Sequence, residues 1–280
     1  MIKVPVPRQI DRFEVLGTLG RGATATVYRV ADPDSEDELA LKLLDGTGGN
    51  LGGAERRFAR EFETMQRLRH PHIVQPHERG TWQGQQWFTM EVVSGPTLHS
   101  WLKSQPDRRI DLRQGIALMK QAADALGTAH AAGVVHRDVK PGNVVLFDDG
   151  RRLKLLDFGL VKGVDASASL TAAGQVVGTP VWMAPERLQT SEAAHPTWDV
   201  YALGLLFYEA LTGHNPFRGR NLVHTIRLVQ GAQPPPPSTL RDEIPGALDT
   251  LLLRCLDRAQ GQRPQNGGEV LEALNILDGG

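Results

Sequence analysis

The chain has 280 residues, of which 40% are hydrophobic and 22% charged, a composition typical of folded globular proteins and not of disordered ones. The formal net charge of −1 excludes the strongly basic surface expected of a nucleic-acid-binding protein, so we expect no nucleic-acid partner. The one cysteine, Cys255, excludes an internal disulfide and a cysteine-only zinc site, and we expect it to be a buried thiol in a helix. The sequence contains no run of about 18 apolar residues, the length needed to cross a membrane.

The first part of the chain is predicted to consist mainly of strands. Alternating and β-branched apolar residues predict strands at 13–16, 26–30, 39–44 and 87–93. Between them, residues 54–69 show helical spacing of apolar side chains. The last of these strands stops at Ser94-Gly95-Pro96, a combination that favours a hinge.

The second part of the chain is predicted to be mostly helical. Residues 116–132 form an apolar helix that ends at Gly133, and residues 199–212 are so apolar that we expect a helix buried nearly all round. Four consecutive prolines at 234–237 require extended backbone and predict a surface loop. We therefore expect a tail at 1–10, a strand-rich lobe at 11–94, a helical lobe at 95–276 and a second tail at 277–280.

A glycine pair and a buried lysine are the first chemical signals. Gly20 and Gly22 lie between two predicted strands, where glycine allows the backbone to approach a phosphate closely, although a simple hairpin turn explains the pair equally well. Lys42 lies within a very apolar strand and needs an anionic partner, unless it reaches solvent from an edge strand. Glu61 falls on the apolar face of the predicted helix and could be that partner.

The most specific signal is the stretch VHRDVKPGNVVL at residues 135–146, followed by LLDFG at 155–159. Both place charged and polar residues directly beside short apolar segments. Either one alone could be a structural loop. Their order after the glycine pair and Lys42 makes a chance arrangement very improbable.

With these residues, the sequence resembles the eukaryotic-type, or Hanks-type, serine/threonine protein kinases, and its composition and proline run are similar to those of bacterial members. The resemblance covers residues 11–276 and extends to Ala184-Pro185-Glu186, Asp199 and Arg263. It implies an α+β, bilobal protein kinase fold and transfer of the ATP γ-phosphate to Ser or Thr hydroxyls of proteins. The motifs are those known for this family.

The resemblance also implies catalytic roles and metal ligands. Asp138 would accept the proton of the substrate hydroxyl, and Lys140 would steady the transferring phosphoryl group. Asn143 and Asp157 would bind Mg²⁺ or Mn²⁺ through oxygen. Lys42 would hold the α- and β-phosphates of ATP, positioned by Glu61.

The resemblance implies a nucleotide site as well. Adenine would lie between Val27 and Ala40 on one side and Val145 on the other, and it would bond to the backbone of two residues that follow a gatekeeper methionine. The predicted nucleotide-contacting residues are Leu19, Gly20, Gly22, Val27, Ala40, Lys42, Met90 (the gatekeeper), Glu91, Val93 and Val145. The third glycine of the family's loop is Ala25 here, which would cost about 1 kcal/mol if that position required a positive φ.

Regulation by phosphorylation is a further expectation. Arg137 precedes Asp138, an arrangement that lets the arginine bind a phosphate on the loop after residue 157. Thr171, with Ser167 and Ser169 nearby, is the candidate phosphorylation site, and Thr179 is expected to contact Asp138 and Lys140. The alternative is that these serine and threonine hydroxyls are ordinary loop groups without a regulatory role.

Three other functions compete with this one. A pseudokinase would lack the lysine, aspartate or metal ligand that are present here. A small-molecule phosphotransferase of related fold would lack Ala184-Pro185-Glu186, and a tyrosine kinase would differ at Lys140 and at 178–180. We expect a cytoplasmic kinase, or one on the cytoplasmic face of a membrane if a tether lies outside this chain. Dimerisation is left open.

Overall fold

The computed structural model describes residues 6–22, 24–35, 37–45, 51–158, 180–188 and 193–277. The chain divides into two compact units, the first comprising Met1–Arg69 with Val74–Ser94 and the second His70–Ile73 with Gly95–Gly280. The units differ from the predicted lobes in assigning residues 70–73 to the second unit.

In the described part of the first unit, six strands form an antiparallel sheet that is accompanied by one helix. The strand order is β1-β2-β3-β4-β6-β5. The elements are β1 (Gln9–Ile10), β2 (Phe13–Arg21), β3 (Ala25–Ala31), β4 (Glu38–Leu44), α1 (Leu51–Arg67), β5 (Pro76–Trp82) and β6 (Gln85–Glu91). Residues 9 and 10, assigned to a tail from sequence, thus form a strand, because Ile10 is fully buried.

The two faces of this sheet bury different side chains, because neighbouring residues of a strand point to opposite faces. One face carries an apolar cluster made of Ile10, Phe13, Tyr28, Val30, Leu41, Leu43 and Trp87. The other face packs on α1, where the rings of Phe58 and Phe62 lie 4.9 Å and 5.7 Å from that of Phe88. Lys42 is paired with Phe88 across β4 and β6, so it lies on the face that α1 covers.

The second unit is mainly helical. Its helices are α2 (Leu98–Ser104), α3 (Leu112–Ala131), α4 (Pro196–Thr212), α5 (Leu222–Gly231), α6 (Gly246–Cys255) and α7 (Gly267–Leu277). β7 (Val144–Phe147) and β8 (Arg152–Leu155) pair with each other as a two-stranded antiparallel sheet. Among the described residues, no helix is both long and apolar enough to cross a membrane.

Helix α4 is the centre of the second unit. Nearly all of its residues are buried, as the sequence predicted. It begins at Pro196, earlier than the predicted residue 199, because His195 caps it by accepting a hydrogen bond from the Thr197 N–H and because proline suits the first helical position. It ends at Gly213, whose φ of 74° is the left-handed conformation that glycine adopts readily.

A close approach between α4 and α6 depends on a glycine. A Cβ atom added at Gly204 would lie 2.5 Å from the Cβ of Cys255, which is closer than two carbon atoms can pack. Cys255 is fully buried on α6, which confirms the prediction of a buried helical thiol. Burial raises the pKa of this thiol to about 12, so it stays protonated at neutral pH and is a poor nucleophile.

We predict that Gly204→Ala lowers the free energy of unfolding by about 1–3 kcal/mol, the usual cost of overpacking a core. Urea denaturation measures the change. Cys255→Gly removes the opposing Cβ, so the double variant should lose less stability than the two single changes added together. Additive losses would contradict the proposed contact.

Candidate functional site

In the first unit, Lys42 and Glu61 form a buried ion pair. The Lys42 Nζ lies 2.6 Å from Glu61 Oε1, and the two residues are 8% and 1% exposed. Because a charge that leaves water must be compensated, each side chain fixes the other. The pair holds the ammonium group of β4 at a defined place beside α1.

Other predicted nucleotide-contacting residues share a sheet face with Lys42. Val27 is paired with Lys42 across β3 and β4, and Ala40 is paired with Met90 across β4 and β6. Directly paired residues lie on the same face of a sheet, and Ala40 and Lys42 are two positions apart on one strand. Val27, Ala40, Lys42 and Met90 therefore form one patch on that face.

The glycine-rich segment is built as the end of β2, a turn and the start of β3. Leu19 is passed over in the pairing between Thr18 and Gly20, so it occupies a β-bulge, and it is 51% exposed. The Gly22 N–H donates to the Ala25 carbonyl over 2.8 Å. Ala25 has no positive φ, so the strain considered for an alanine at this position does not arise.

Glu91 and Val93 lie at and just beyond the end of β6. The Glu91 carboxylate accepts a hydrogen bond from the Gln75 N–H at 2.8 Å, and the Glu91 N–H donates to the Gln75 carbonyl at 3.1 Å. Val93 is half-buried in the segment that follows the strand. The two bonds fix the backbone at Glu91.

In the second unit, two predicted residues converge on the carboxylate of a third, Asp138. Asp138 Oδ2 accepts hydrogen bonds from Lys140 Nζ at 2.7 Å and from Asn143 Nδ2 at 2.9 Å. The Asn143 amide also donates to the Asp138 backbone carbonyl at 2.9 Å. The loop therefore holds its aspartate from two sides, with a lysine ammonium group in direct contact.

Val145 lies on the neighbouring hairpin, and Asp157 follows two residues after its second strand ends. The Leu156 N–H donates to the Asn143 carbonyl over 2.9 Å, which brings the strand end before Asp157 to the loop. Asp157 has a φ of 51°, an uncommon value for a residue with a side chain. Val145 is buried on β7.

Asn143 and Asp157 suit a hard divalent cation. The Asn143 Nδ2 donates to Asp138, so its Oδ1 is the atom that could face a metal, and Asp157 offers carboxylate oxygens. Among the described residues there is no group of three or more His, Cys, Asp or Glu that could hold a metal. Two oxygen ligands alone fit Mg²⁺, which takes its remaining ligands from water and phosphates.

Asp199, at the start of α4, anchors the loop. It is 1% exposed, and it accepts hydrogen bonds from the His136 N–H at 2.6 Å and the Arg137 N–H at 2.8 Å. His130 Nε2 lies 3.0 Å from Asp199 Oδ2. Because His130 Nδ1 accepts from the Gly267 N–H at 3.0 Å, the proton is on Nε2 and His130 is also a donor to Asp199.

His136 ties the loop to the hairpin end. Its Nε2 lies 2.9 Å from the Leu156 carbonyl, and its ring lies 4.6 Å from that of the fully buried Phe158. The Asp138 N–H points at His136 Nδ1 over 3.3 Å. The imidazole is thus packed between the backbone of Asp138 and the residues next to Asp157.

Arg137 has a φ of 67°, which is uncommon outside glycine. The Nε of Arg137 is buried and has no hydrogen-bond partner among the described residues. The residues expected to provide its partner, Thr171 with Ser167 and Ser169, lie outside the described part of the chain, as does Thr179.

Sequence reasoning missed His130 as a partner of Asp199 and gave Asp199 only as a family landmark. A carboxylate at the start of a very apolar helix was the available signal for Asp199. Glu186 and Arg263 form a bidentate ion pair with N–O distances of 2.7 Å and 2.8 Å, and Arg263 is 2% exposed.

The sequence model of the protein kinase domain matches residues 13–275 of this chain. The chain belongs to the protein kinase family. The serine/threonine-protein kinase PknA of Mycobacterium tuberculosis is 34% identical over 274 residues, which are 96% of this chain and 62% of PknA. PknE of Mycobacterium bovis is 35% identical over 95% of this chain and 46% of its own length. The chain thus spans less than two thirds of these relatives.

Solved structures of kinases agree with this assignment. The kinase domain of Mycobacterium tuberculosis PknI matches 96% of this chain and 96% of its own with 31% identity and a TM-score of 0.72. A second structure of that domain gives a TM-score of 0.75 at 30% identity, over 97% and 98% of the two chains. The predicted α+β protein kinase fold and the resemblance to bacterial Hanks-type kinases are therefore confirmed.

We predict that Asp199→Asn loosens the kinase loop that carries Asp138. An amide has one acceptor oxygen, so at least one buried backbone N–H loses its partner, at a cost of about 1–3 kcal/mol in unfolding free energy. Turnover, measured at a temperature where the variant is folded, should fall by about 10²-fold, because small misplacements of reacting groups have effects of this size.

Asp249 provides a matched control for this change. It is 9% exposed and accepts a hydrogen bond from the Ser238 N–H at 2.8 Å, but it lies on α6 and its hydrogen bonds among the described residues are to Ser238 and not to the 135–146 loop. Asp249→Asn should lose stability and keep turnover. Equal turnover in the two variants would contradict the anchoring role of Asp199.

Proposed function

We propose that this chain is an ATP-dependent protein kinase that transfers the γ-phosphate of ATP to Ser or Thr hydroxyls of proteins. The observation that carries the proposal is the contact of Lys140 and Asn143 with the Asp138 carboxylate. A carboxylate fixed in this way can orient a hydroxyl and accept its proton. An ammonium group beside it can stabilise the charge of a transferring phosphoryl group.

The chemistry proposed for the loop needs few groups. The transition state of phosphoryl transfer spreads negative charge over three oxygens, so most of the acceleration comes from positioning and from fixed positive charge. Asp138 holds the hydroxyl and takes its proton as the bond to phosphorus forms and the bond to the leaving oxygen of ADP breaks. The Lys140 ammonium group faces the developing charge.

Binding of the phosphates is proposed to depend on Lys42. The Glu61 carboxylate holds the Lys42 ammonium group at 2.6 Å, and this pairing of a strand lysine with a helix glutamate accompanies the active state of protein kinases. Gly20 and Gly22 offer backbone N–H groups to phosphate oxygens. The patch of Val27, Ala40 and Met90 offers an apolar surface to adenine, with the backbone of Glu91 and Val93 as its hydrogen-bonding edge, and Leu19 and Val145 remain predicted adenine contacts.

Asn143 and Asp157 are the proposed magnesium ligands. A bound Mg²⁺, or Mn²⁺ in its place, would neutralise phosphate charge and orient the nucleotide. The protein's own part is to present the Asn143 Oδ1, whose amide nitrogen is fixed on Asp138, and to hold Asp157 in its left-handed conformation.

Serine and threonine specificity is supported by sequence and relatives together. Lys140, two residues after Asp138, is typical of Ser/Thr kinases, and PknA, PknE and PknL are named serine/threonine-protein kinases. The bidentate pair of Glu186 with Arg263 belongs to the substrate-binding region that small-molecule phosphotransferases usually lack.

The need for ATP supports a location in the cytoplasm or on the cytoplasmic face of a membrane.

Replacing the proposed base tests the function directly. Asp138→Asn should keep ATP binding and lose turnover by about 10²–10⁴-fold, the usual contribution of a general acid–base group. Phosphate transfer to a generic protein substrate and nucleotide titration give the two quantities. The exposed Asp242 supplies the control, since Asp242→Asn should leave both unchanged.

The outcome separates the competing functions. A wild-type chain that binds ATP without turnover would indicate a pseudokinase. Near-normal turnover in Asp138→Asn would refute the assignment of the base. Phosphotyrosine in the product would refute Ser/Thr specificity.

Autophosphorylation at Thr171 or its neighbours Ser167 and Ser169 is a further proposal. Its support is Arg137, whose buried Nε has no hydrogen-bond partner among the described residues and whose guanidinium group could bind a phosphate. Mass spectrometry after incubation with ATP should find phosphate in the segment 167–171. The Asp138→Asn protein, treated identically, should carry none.

Arg137→Gln supplies the second half of this test. Before phosphorylation, the variant should turn over at about the rate of the unphosphorylated wild-type protein. Phosphorylation should raise its turnover little, because glutamine has no charge to pair with the phosphate. Absence of phosphate from 167–171 in an active protein would contradict this route of activation.

We also predict that this kinase has no strong requirement for arginine upstream of the target residue. The two positions where kinases that select arginine usually carry carboxylates are Thr97 and Gly142. Thr97 instead caps α2 by accepting from the Ser100 N–H at 3.2 Å. A positional-scanning peptide library should show no strong selection for arginine two or three residues before the target.

Gly142 allows a designed gain of specificity. No atom lies within 4 Å of a Cβ added there, so Gly142→Glu should fold and introduce a preference for upstream arginine, since guanidinium groups pair well with carboxylates. Gly142→Gln is the uncharged control. Strong arginine selection by the wild-type chain would show the prediction to be wrong.

A further inference from the structure

Arg187 makes an unexpected contact with the loop that carries Asp138. Its Nη1 donates a hydrogen bond to the backbone carbonyl of Arg137 over 2.7 Å. Its guanidinium carbon lies 5.0 Å from the centre of the Trp198 ring, at the start of α4. The guanidinium group is therefore held on an aromatic face and aimed at one carbonyl of the loop.

The carbonyl that Arg187 binds belongs to a residue with unusual backbone geometry. Arg137 has a φ of 67°, a conformation that costs a residue with a Cβ about 1–2 kcal/mol relative to the common regions. Asp199 binds its N–H at 2.8 Å, and Arg187 binds its C=O. Both polar groups of the strained residue are thus held by side chains from outside the loop.

The position of this carbonyl connects Arg187 to Asp138. The C=O of Arg137 and the N–H of Asp138 form one rigid peptide unit, so a bond that fixes the carbonyl also fixes the direction in which the chain enters Asp138. The Asp138 N–H on the same unit faces His136 Nδ1. Release of the carbonyl would allow this unit to rotate and move the carboxylate.

The electrostatic surroundings agree with this role. Burial lowers the pKa of Arg187 from its ordinary value, whereas the carboxylates of Asp199 and Asp138 act in the opposite direction. Arginine remains protonated under these conditions. The positive charge of Arg187 thus interacts electrostatically with the proposed base, Asp138. The hydrogen bond from Arg187 to the Arg137 carbonyl is charge-assisted.

We infer that Arg187 is a positioning residue for phosphoryl transfer, which orients the Arg137–Asp138 peptide unit from its seat on Trp198. The inference rests on the proposed kinase function. It assigns to Arg187 no contact with substrate or nucleotide. Its effect should therefore appear in turnover and not in nucleotide binding.

The test compares Arg187→Leu with Arg187→Lys. Leucine removes the donor and the charge, so kcat should fall by about 10²-fold, the scale of a small misplacement of a reacting group, while the KM for ATP stays within about twofold. Lysine keeps a charged donor that can reach a carbonyl, so kcat should recover to within about tenfold of the wild-type value.

Arg241→Leu is the matched control. Arg241 Nη1 also donates to backbone carbonyls, those of Ile110 at 2.7 Å and Leu211 at 3.2 Å, but neither residue belongs to the 135–146 loop. This variant should lose thermal stability and keep its kcat when assayed folded. A kcat loss in Arg187→Leu no greater than in Arg241→Leu would overturn the inference, as would a rise in KM with unchanged kcat or a lysine variant no better than leucine.

Crystal structures of Arg187→Lys and Arg187→Leu test whether Arg187 positions Asp138 without an activity assay. We expect the leucine variant to show the Arg137 carbonyl rotated and Asp138 displaced, and the lysine variant to retain both. An unchanged Arg137–Asp138 peptide in the leucine variant would overturn the inference even in a chain without activity. Absence of turnover in the wild-type chain would contradict the proposed function, and the crystallographic outcome would still decide the role of Arg187.

Discussion

The buried carboxylate of Asp199 is the interaction on which the candidate site depends. It is 1% exposed and accepts hydrogen bonds from the N–H groups of His136 and Arg137, so a nearly fully buried helix carries the residue that anchors the loop of Asp138. A buried charge is costly unless it is fully hydrogen-bonded. The loop satisfies that requirement and is itself fixed by it. His130, which also bonds to the start of α7, joins a third element to the same carboxylate.

The strained backbone of the loop follows from this anchor. Arg137 occupies the left-handed region, and such a conformation persists only where the surroundings determine it more strongly than local preference does. Asp199 and Arg187 hold the Arg137 backbone in this conformation through hydrogen bonds to its N–H and its C=O, respectively. The result is a fixed carboxylate at Asp138, already contacted by Lys140 and Asn143, so the proposed phosphoryl transfer needs little reorganisation of this group.

The first unit also contains a buried charged group, which is stabilised by an ion pair. Its buried cation, Lys42, is compensated by a carboxylate from α1, and both lie on the sheet face that packs on Phe58 and Phe62. The opposite face is closed by its own apolar cluster, which includes Ile10 of the short first strand. The sheet is therefore supported on both sides, and the rows of side chains that include Val27, Ala40 and Met90 are held at fixed register.

The sequence by itself determined the family through its motifs. It also determined the faces on which Lys42 and Glu61 lie, because strand and helix periods are local properties of the chain. It also identified the loop residues Asp138, Lys140 and Asn143 as a group, since they are only a few positions apart. Only the tertiary structure decided that Asp199 and Arg187 bind that loop and that His130 bonds to Asp199. It also decided that Ala25 needs no positive φ and that β1 forms from residues assigned to a tail. These contacts join residues far apart in the chain or depend on a single backbone angle, and neither leaves a periodic signal in a sequence.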